Sequence, residues 1–208
     1  MKNRTKNQPK YLDIPKIDNK SKVEFNIVKE KYKKRQIVLC HSTRYFENYY
    51  RGLFNRMNGN YNKVPSYFVK KNGEVIENFN PKYRSEYMGN HSLDKRNIVV
   101  CLENIGWLVQ DRKRNRFMNW VGDIYYREPF EKRWRNHLLW DPYTEEQYEA
   151  LRKLLVKLTV KFSIPYELTG HNVKLRGVNN FEGIVSKSNY SEYSTDLNPS
   201  FEFEKIEI

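Results

Sequence analysis

The feature that most constrains the fold is an apolar run ending in a histidine, Ile37-Val38-Leu39-Cys40-His41-Ser42-Thr43. Residues 36–42 have the length and β-branched content of a buried strand, and regular alternation puts His41 on the same face as Ile37 and Leu39. A second interior strand is expected over 97–104, with Val99, Cys101 and Glu103 on one face. A carboxylate at the end of an apolar face is costly unless it is paired or lies near a cation, so Glu103 stands out. Residues 65–79 read as two strands joined by Asn72-Gly73, a dipeptide that favours the positive-φ conformations of a hairpin. Two helices are expected. Over 45–57, Phe46, Tyr49, Tyr50, Leu53, Phe54 and Met57 recur at helical spacing, and Asn58-Gly59-Asn60 ends the run. Over 144–163, Thr144 and Gln147 form a capping-box pattern ahead of an apolar stripe from Tyr148 to Phe162, with Pro165 beyond.

Composition sets wide bounds. A chain of 208 residues suits one domain with a sizeable core. Its 38 Lys and Arg against 25 Asp and Glu give a net charge of +13, which favours polyanionic partners: nucleic acid, acidic membrane surfaces or anionic cell-wall polymers. Cys40 and Cys101 both lie in strand-like runs, where a thiol acts as a small buried hydrophobe, and no disulfide framework is legible. The first ten residues are polar and basic, unlike a secretory signal, and no later run is long enough to span a bilayer.

Residues 1–22 read as a basic N-terminal arm, and 23–208 as one domain carrying a Trp/Arg-rich insertion at about 106–143. Four tryptophans within that insertion argue against disorder. It reads first as a β-rich extension whose aromatics fill a satellite core, and a mixed role bordering a ligand groove is a second reading.

Candidate chemistry centres on three separated residues. His41 at the mouth of a strand, His171 in Thr169-Gly170-His171, and Asp196 ahead of Asn198-Pro199 could supply two neutral imidazoles and one carboxylate. Such a set leaves zinc a fourth position for water, the layout of a hydrolytic site. Each residue has a plainer reading: a core histidine bonded to backbone, or an aspartate in an Asx turn. His91 and His137 lie in polar stretches and read as surface residues.

Taken in order, these landmarks resemble the zinc-dependent N-acetylmuramoyl-L-alanine amidases of the type-2 family, which includes phage lysozyme-type amidases and peptidoglycan recognition proteins. The resemblance runs from His41 through the 66–75 hairpin, the 97–104 strand and the 144–163 helix to Thr169-Gly170-His171 and Asp196-Leu197-Asn198-Pro199-Ser200-Phe201. It implies an α/β fold, a single domain with a mixed central β-sheet flanked by helices. It implies zinc (Zn2+) on His41, His171 and Asp196, Glu103 as the carboxylate assisting the zinc-bound water, and peptidoglycan as substrate, cut between N-acetylmuramic acid and L-alanine. Ser194 stands where members often carry a lysine, and Lys187 in the inserted stretch is the candidate replacement. Residues 172–195 lengthen the usual spacing between the second histidine and the aspartate, and Pro65 and Ser66 occupy a region where other members carry a tyrosine or histidine. With no signal legible, a phage endolysin reaching the wall from the host cytoplasm is the simplest setting. The alternatives are a catalytically silent peptidoglycan-binding module and a basic nucleic-acid-binding protein. No motif of the latter appears, and no specific nucleic-acid partner is expected.

Overall fold

The run ending in His41 forms β1 (Gln36–His41), an interior strand of a five-stranded mixed sheet in the order β10-β1-β4-β2-β3. The structure, a computed structural model, describes residues 25–208, so the basic arm expected over 1–22 lies outside the described residues. β1 runs parallel to β10 (Gly183–Ser186) on one side and to β4 (Asn97–Leu102) on the other. β4 runs parallel to β2 (Tyr67–Val69), and β3 (Val75–Glu77) forms the far edge, antiparallel to β2. Every residue of β1 and β4 is buried, as expected of parallel strands covered on both faces.

The period of two along the strands divides the core. Ile37, Leu39, Ile98, Val100 and Leu102 pack on α3 (Glu145–Phe162) through Leu151, Leu155 and Leu158. Val38, Cys40, Val99 and Cys101 pack on the other side with Tyr50 and Leu53 of α1 (Phe46–Asn55). Each fully buried aliphatic side chain contributes roughly 1.5–3 kcal/mol, so this two-sided burial dominates stability. The result is a single α/β domain with a mixed central sheet flanked by helices.

Local signals set the element ends. Thr144 Oγ1 accepts from the Gln147 amide and Gln147 Oε1 accepts from the Thr144 amide, both at 3.2 Å, completing the expected capping box. The hairpin turn differs in type from the two-residue turn that Asn72-Gly73 suggests. The Gly73 amide donates to the Lys70 carbonyl at 2.9 Å, and of the pair only Gly73 has positive φ, at 82°. Asn72 Oδ1 instead accepts from the Glu74 amide at 3.0 Å, which leaves shorter strands than 65–79 implied.

The Trp/Arg-rich stretch forms a second five-stranded sheet, antiparallel throughout, in the order β7-β6-β5-β9-β8. Its strands are β5 (Trp107–Asp111), β6 (Arg116–Asn119), β7 (Ile124–Tyr125), β8 (Phe130–Trp134) and β9 (His137–Trp140). Trp140 is fully buried and lies 5.5 Å from the Trp134 ring. Trp107 stacks on His137 at 4.2 Å, so His137 is half-buried rather than a free surface residue, and burial lowers its pKa. Trp120 instead remains 59% exposed. His91, exposed, begins the short helix α2 (His91–Arg96). Among the described residues no helix is long and apolar enough to cross a membrane.

Two glycines test this account of packing. A Cβ added at Gly183, where φ is 144°, would lie 2.4 Å from the Glu167 carbonyl oxygen. Gly183→Ala should therefore cost about 2–4 kcal/mol through overpacking and backbone strain. Gly52, inside α1, has nothing within 4 Å of an added Cβ, and Gly52→Ala should leave stability unchanged or raise it by up to about 1 kcal/mol. Denaturant melts of the two variants check both; equal midpoints would contradict the packing at β10.

Candidate active site

The C-terminal end of β1 and the loop after β10 place His41, Asp196 and Lys187 together. Asp196 is buried, and its Oδ1 accepts from the His41 backbone amide at 2.7 Å while its Oδ2 accepts from Ser194 Oγ at 2.9 Å. Lys187 Nζ lies 3.6 Å from Oδ2. Burial pushes the Asp196 pKa up, but His41, Lys187 and the two hydrogen bonds outweigh it and hold the carboxyl below its ordinary value. The Asp196 charge in turn raises the Lys187 pKa, and that ammonium also lies 5.3 Å over the Tyr87 ring.

The His41 ring is enclosed. Desolvation lowers its pKa, so the imidazole is neutral near pH 7. Nδ1 meets the Tyr143 hydroxyl at 3.3 Å, and burial keeps that phenol protonated. Nε2 is buried without a hydrogen-bond partner, 3.9 Å from Asp196 Oδ1. It faces Gly106, where a Cβ would come within 3.5 Å of it. A buried imidazole nitrogen left without a partner is costly in an apolar site, and a metal ion beside Asp196 would satisfy it.

His171 does not join this pair. It is half-buried, and its Nδ1 accepts from Asn189 Nδ2 at 3.2 Å and from the Val173 amide at 3.4 Å. The Asn189 amide cannot be reversed, because its Oδ1 already accepts from the Ser186 amide and Thr169 Oγ1. Nδ1 is therefore the unprotonated nitrogen. Among the described residues no three His, Cys, Asp or Glu side chains gather around one metal position. His41 and Asp196 fit a zinc ion through the partnerless Nε2 and the adjacent carboxylate, while His171, engaged at Nδ1 by Asn189, is not gathered with them.

Glu103 has a different surrounding from the one its expected role needs. Oε1 accepts from the Phe46 amide at 2.8 Å and Oε2 from the Lys71 amide at 2.9 Å. The carboxylate thus caps the first turn of α1 and ties it to the β2–β3 hairpin, a structural use that answers the cost of burying it. Among the described residues no hydrogen bond or ion pair joins Glu103 to His41 or Asp196.

A cleft of about 290 Å³ opens beside this group, lined by Ser42 and Thr43 after β1, by α1, by Trp120 and by Lys187. Arg44, Arg56, Lys63 and Lys187 all border it, and none of its lining residues is acidic. Arg44 is paired with Asp123 at 3.4 Å, and Lys187 with Asp196 at 3.6 Å. The cleft, Tyr143 and the Asn189 hub were not legible in the sequence, because each depends on loops that meet only in the fold. The aromatic and basic interleaving around Trp120 was the one available signal.

A family model described as N-acetylmuramoyl-L-alanine amidase matches residues 30–183, a span that holds His41, Glu103 and His171 but not Lys187 or Asp196. A search of curated proteins gave no match. Among solved structures, the N-acetylmuramyl-L-alanine amidase AmiD from E. coli, in complex with anhydro-N-acetylmuramic acid-L-Ala-D-gamma-Glu-L-Lys, is similar at 15% identity and a TM-score of 0.54, over 87% of this chain and 64% of that one. AMPDH3 from Pseudomonas aeruginosa, in complex with an anhydromuramic pentapeptide, is similar at 12% identity and a TM-score of 0.53, over 86% and 60%. The amidase LysC from Clostridium intestinale URNW follows at 11% identity and a TM-score of 0.49, over 84% and 83%. At these identities the likeness is one of fold.

The Glu103 geometry makes a prediction that separates a staple from a proton shuttle. An amide at 103 has one acceptor oxygen for two backbone donors, and its NH2 would face the other. Glu103→Gln should therefore lower stability by about 1–3 kcal/mol. A thermal melt indistinguishable from that of the parent protein would remove the staple role.

Proposed function

Because this chain belongs to the N-acetylmuramoyl-L-alanine amidase family, we propose that it hydrolyses the amide between the lactyl group of N-acetylmuramic acid and the L-alanine of the stem peptide. The observation that carries the reading is the buried, partnerless His41 Nε2 beside Asp196, at the end of a parallel strand and next to a cleft.

His41 and Asp196 would hold a zinc ion, with His171 as the third ligand. Bound there, zinc would polarise the scissile carbonyl and bring the pKa of a bound water to roughly 7. The protein's own groups do the positioning. Tyr143 fixes the His41 ring at Nδ1, as a partner behind a metal-binding histidine does. The His41 amide and Ser194 Oγ orient the Asp196 carboxylate from both oxygens. Lys187 keeps its proton and sets a fixed positive charge at the cleft edge, where the oxyanion of a tetrahedral intermediate would be stabilised. The cleft's cations and the Trp120 face suit a substrate with carboxylates on a sugar-peptide body. With both oxygens on backbone amides, Glu103 supports the site by holding α1 and the hairpin.

The proposal extends to endolysin-type action on whole cell walls, where the net charge of +13 would draw the protein to anionic polymers or a membrane surface. A second reading, a peptidoglycan-binding module without turnover, is favoured by the failure of three ligands to converge among the described residues.

One digest distinguishes the two. Purified sacculi should yield new amino termini on L-alanine and no new reducing sugar ends, since a glycosidic route needs two flanking carboxylates. His41→Ala should lose bound zinc and turnover together, and higher salt should weaken action on whole walls more than on a soluble muropeptide. Sacculi that bind the protein but release no alanine termini, with no zinc by elemental analysis, support the binding module instead.

A further inference from the structure

We infer that Arg135, at the tip of the second sheet, is a positioning residue that holds the two loops carrying His171 and Asp196. Arg135 and Asn136 form the turn between β8 and β9, with φ of 47° and 66°. Two left-handed central residues are what a tight hairpin turn requires, and Asn and Gly are the residues that fill such positions without strain. Asn136 fits this pattern. Arg135 does not, because a long side chain at positive φ strains the backbone. Nothing in the turn itself calls for arginine.

Its contacts supply the reason. Nη1 donates to the carbonyls of Ser191, at 3.2 Å, and of Glu192, while Nη2 donates to the Asn172 carbonyl at 3.4 Å. The guanidinium lies 4.5 Å over the Trp134 ring, which packs on buried Trp140 and so anchors the fork to the sheet. Each carbonyl is one short step from a candidate site residue. Asn172 follows His171 directly, and its Nδ2 donates to the Leu197 carbonyl at 2.7 Å, beside Asp196. The Ser191 carbonyl also accepts from the Ser194 amide at 3.3 Å, and Ser194 Oγ donates to Asp196 Oδ2. One planar fork therefore joins the insertion to both the 171–173 loop and the 189–196 loop. Lysine cannot reproduce this geometry, because its ammonium is a point charge on a flexible stem.

The inference rests on the proposed amidase site for its catalytic meaning, and its structural part is testable apart from it. Hydrogen exchange should be compared for the parent protein, Arg135→Ala, Arg135→Lys and the control Arg133→Ala. In Arg135→Ala, amides over 171–173 and 189–196 should exchange at least about tenfold faster while β1 and β4 keep their protection. Arg135→Lys should fall between, and Arg133→Ala should match the parent. In a parent that turns over, kcat should fall about 10–100-fold in Arg135→Ala with KM changed little, and zinc should be held more weakly by a similar factor in a chelator competition. Unchanged exchange in both loops would overturn the inference, as would a uniform rise that includes β1 and β4. A parent without zinc or turnover would defeat the amidase reading, and the exchange pattern would still decide the role of Arg135.

Discussion

The Asp196 carboxylate is taken out of water to accept a hydrogen bond from the last amide of β1, and the arrangement at that end of the sheet follows from this contact. A parallel strand ends with backbone donors that the ladder no longer satisfies, and burying one without an acceptor is costly. Asp196 supplies the acceptor from a residue 155 positions away. The same carboxylate then needs its own compensation, which Ser194 and Lys187 provide. A loop that could have been placed loosely is thereby fixed against the strand bearing His41, and the imidazole comes to lie beside a charge that the fold already required.

Much of the scaffold was legible because its signals are local. The apolar alternation of β1 and β4 and the capping box at Thr144 depend on residues within a few positions of one another, and the structure has them where the pattern puts them. His41 and Asp196 were named from the ordered landmarks, and they do meet. Glu103 was legible as a residue needing a partner, but not which partner. Its two donors are backbone amides of α1 and the hairpin, and a backbone amide leaves no mark in a sequence. His171 shows the same limit. Its ring is governed by Asn189, whose orientation is fixed by Ser186 and Thr169, and no spacing rule encodes that hub. The second sheet was readable as aromatic filling, but its edge-to-tip order and the reach of Arg135 were not.

The two sheets are joined by a polar knot rather than by apolar packing alone. Buried Asp141, one residue past β9, accepts from Lys71 Nζ at Oδ1 and from the Ile105 amide at Oδ2, both at 2.9 Å. Its carbonyl accepts from Asn104 Nδ2 at 2.7 Å and Asn198 Nδ2 at 2.8 Å. Hairpin, sheet junction and C-terminal segment thus meet on one residue, where removal of either donor to the carboxylate strands a buried oxygen. Burial outweighs the opposing Asp141 charge and holds the Lys71 pKa below its ordinary value.

This use of acidic residues explains the polarity of the cleft. Among the described residues five carboxylates are buried: Asp94, Glu103, Asp123, Asp141 and Asp196. Each is committed to donors that hold the fold, the Met88 amide for Asp94 and Arg44, Asn48 and Asn119 for Asp123 among them. Two of them, Asp123 and Asp196, pair with the cleft cations Arg44 and Lys187, and the other three are spent on donors elsewhere in the fold. Lys63 and Arg56 therefore face the cleft without a carboxylate in its walls, beside an exposed indole. A positive cleft with low-dielectric walls concentrates anions, so the charge distribution that the fold requires also makes this cleft attractive to anionic groups.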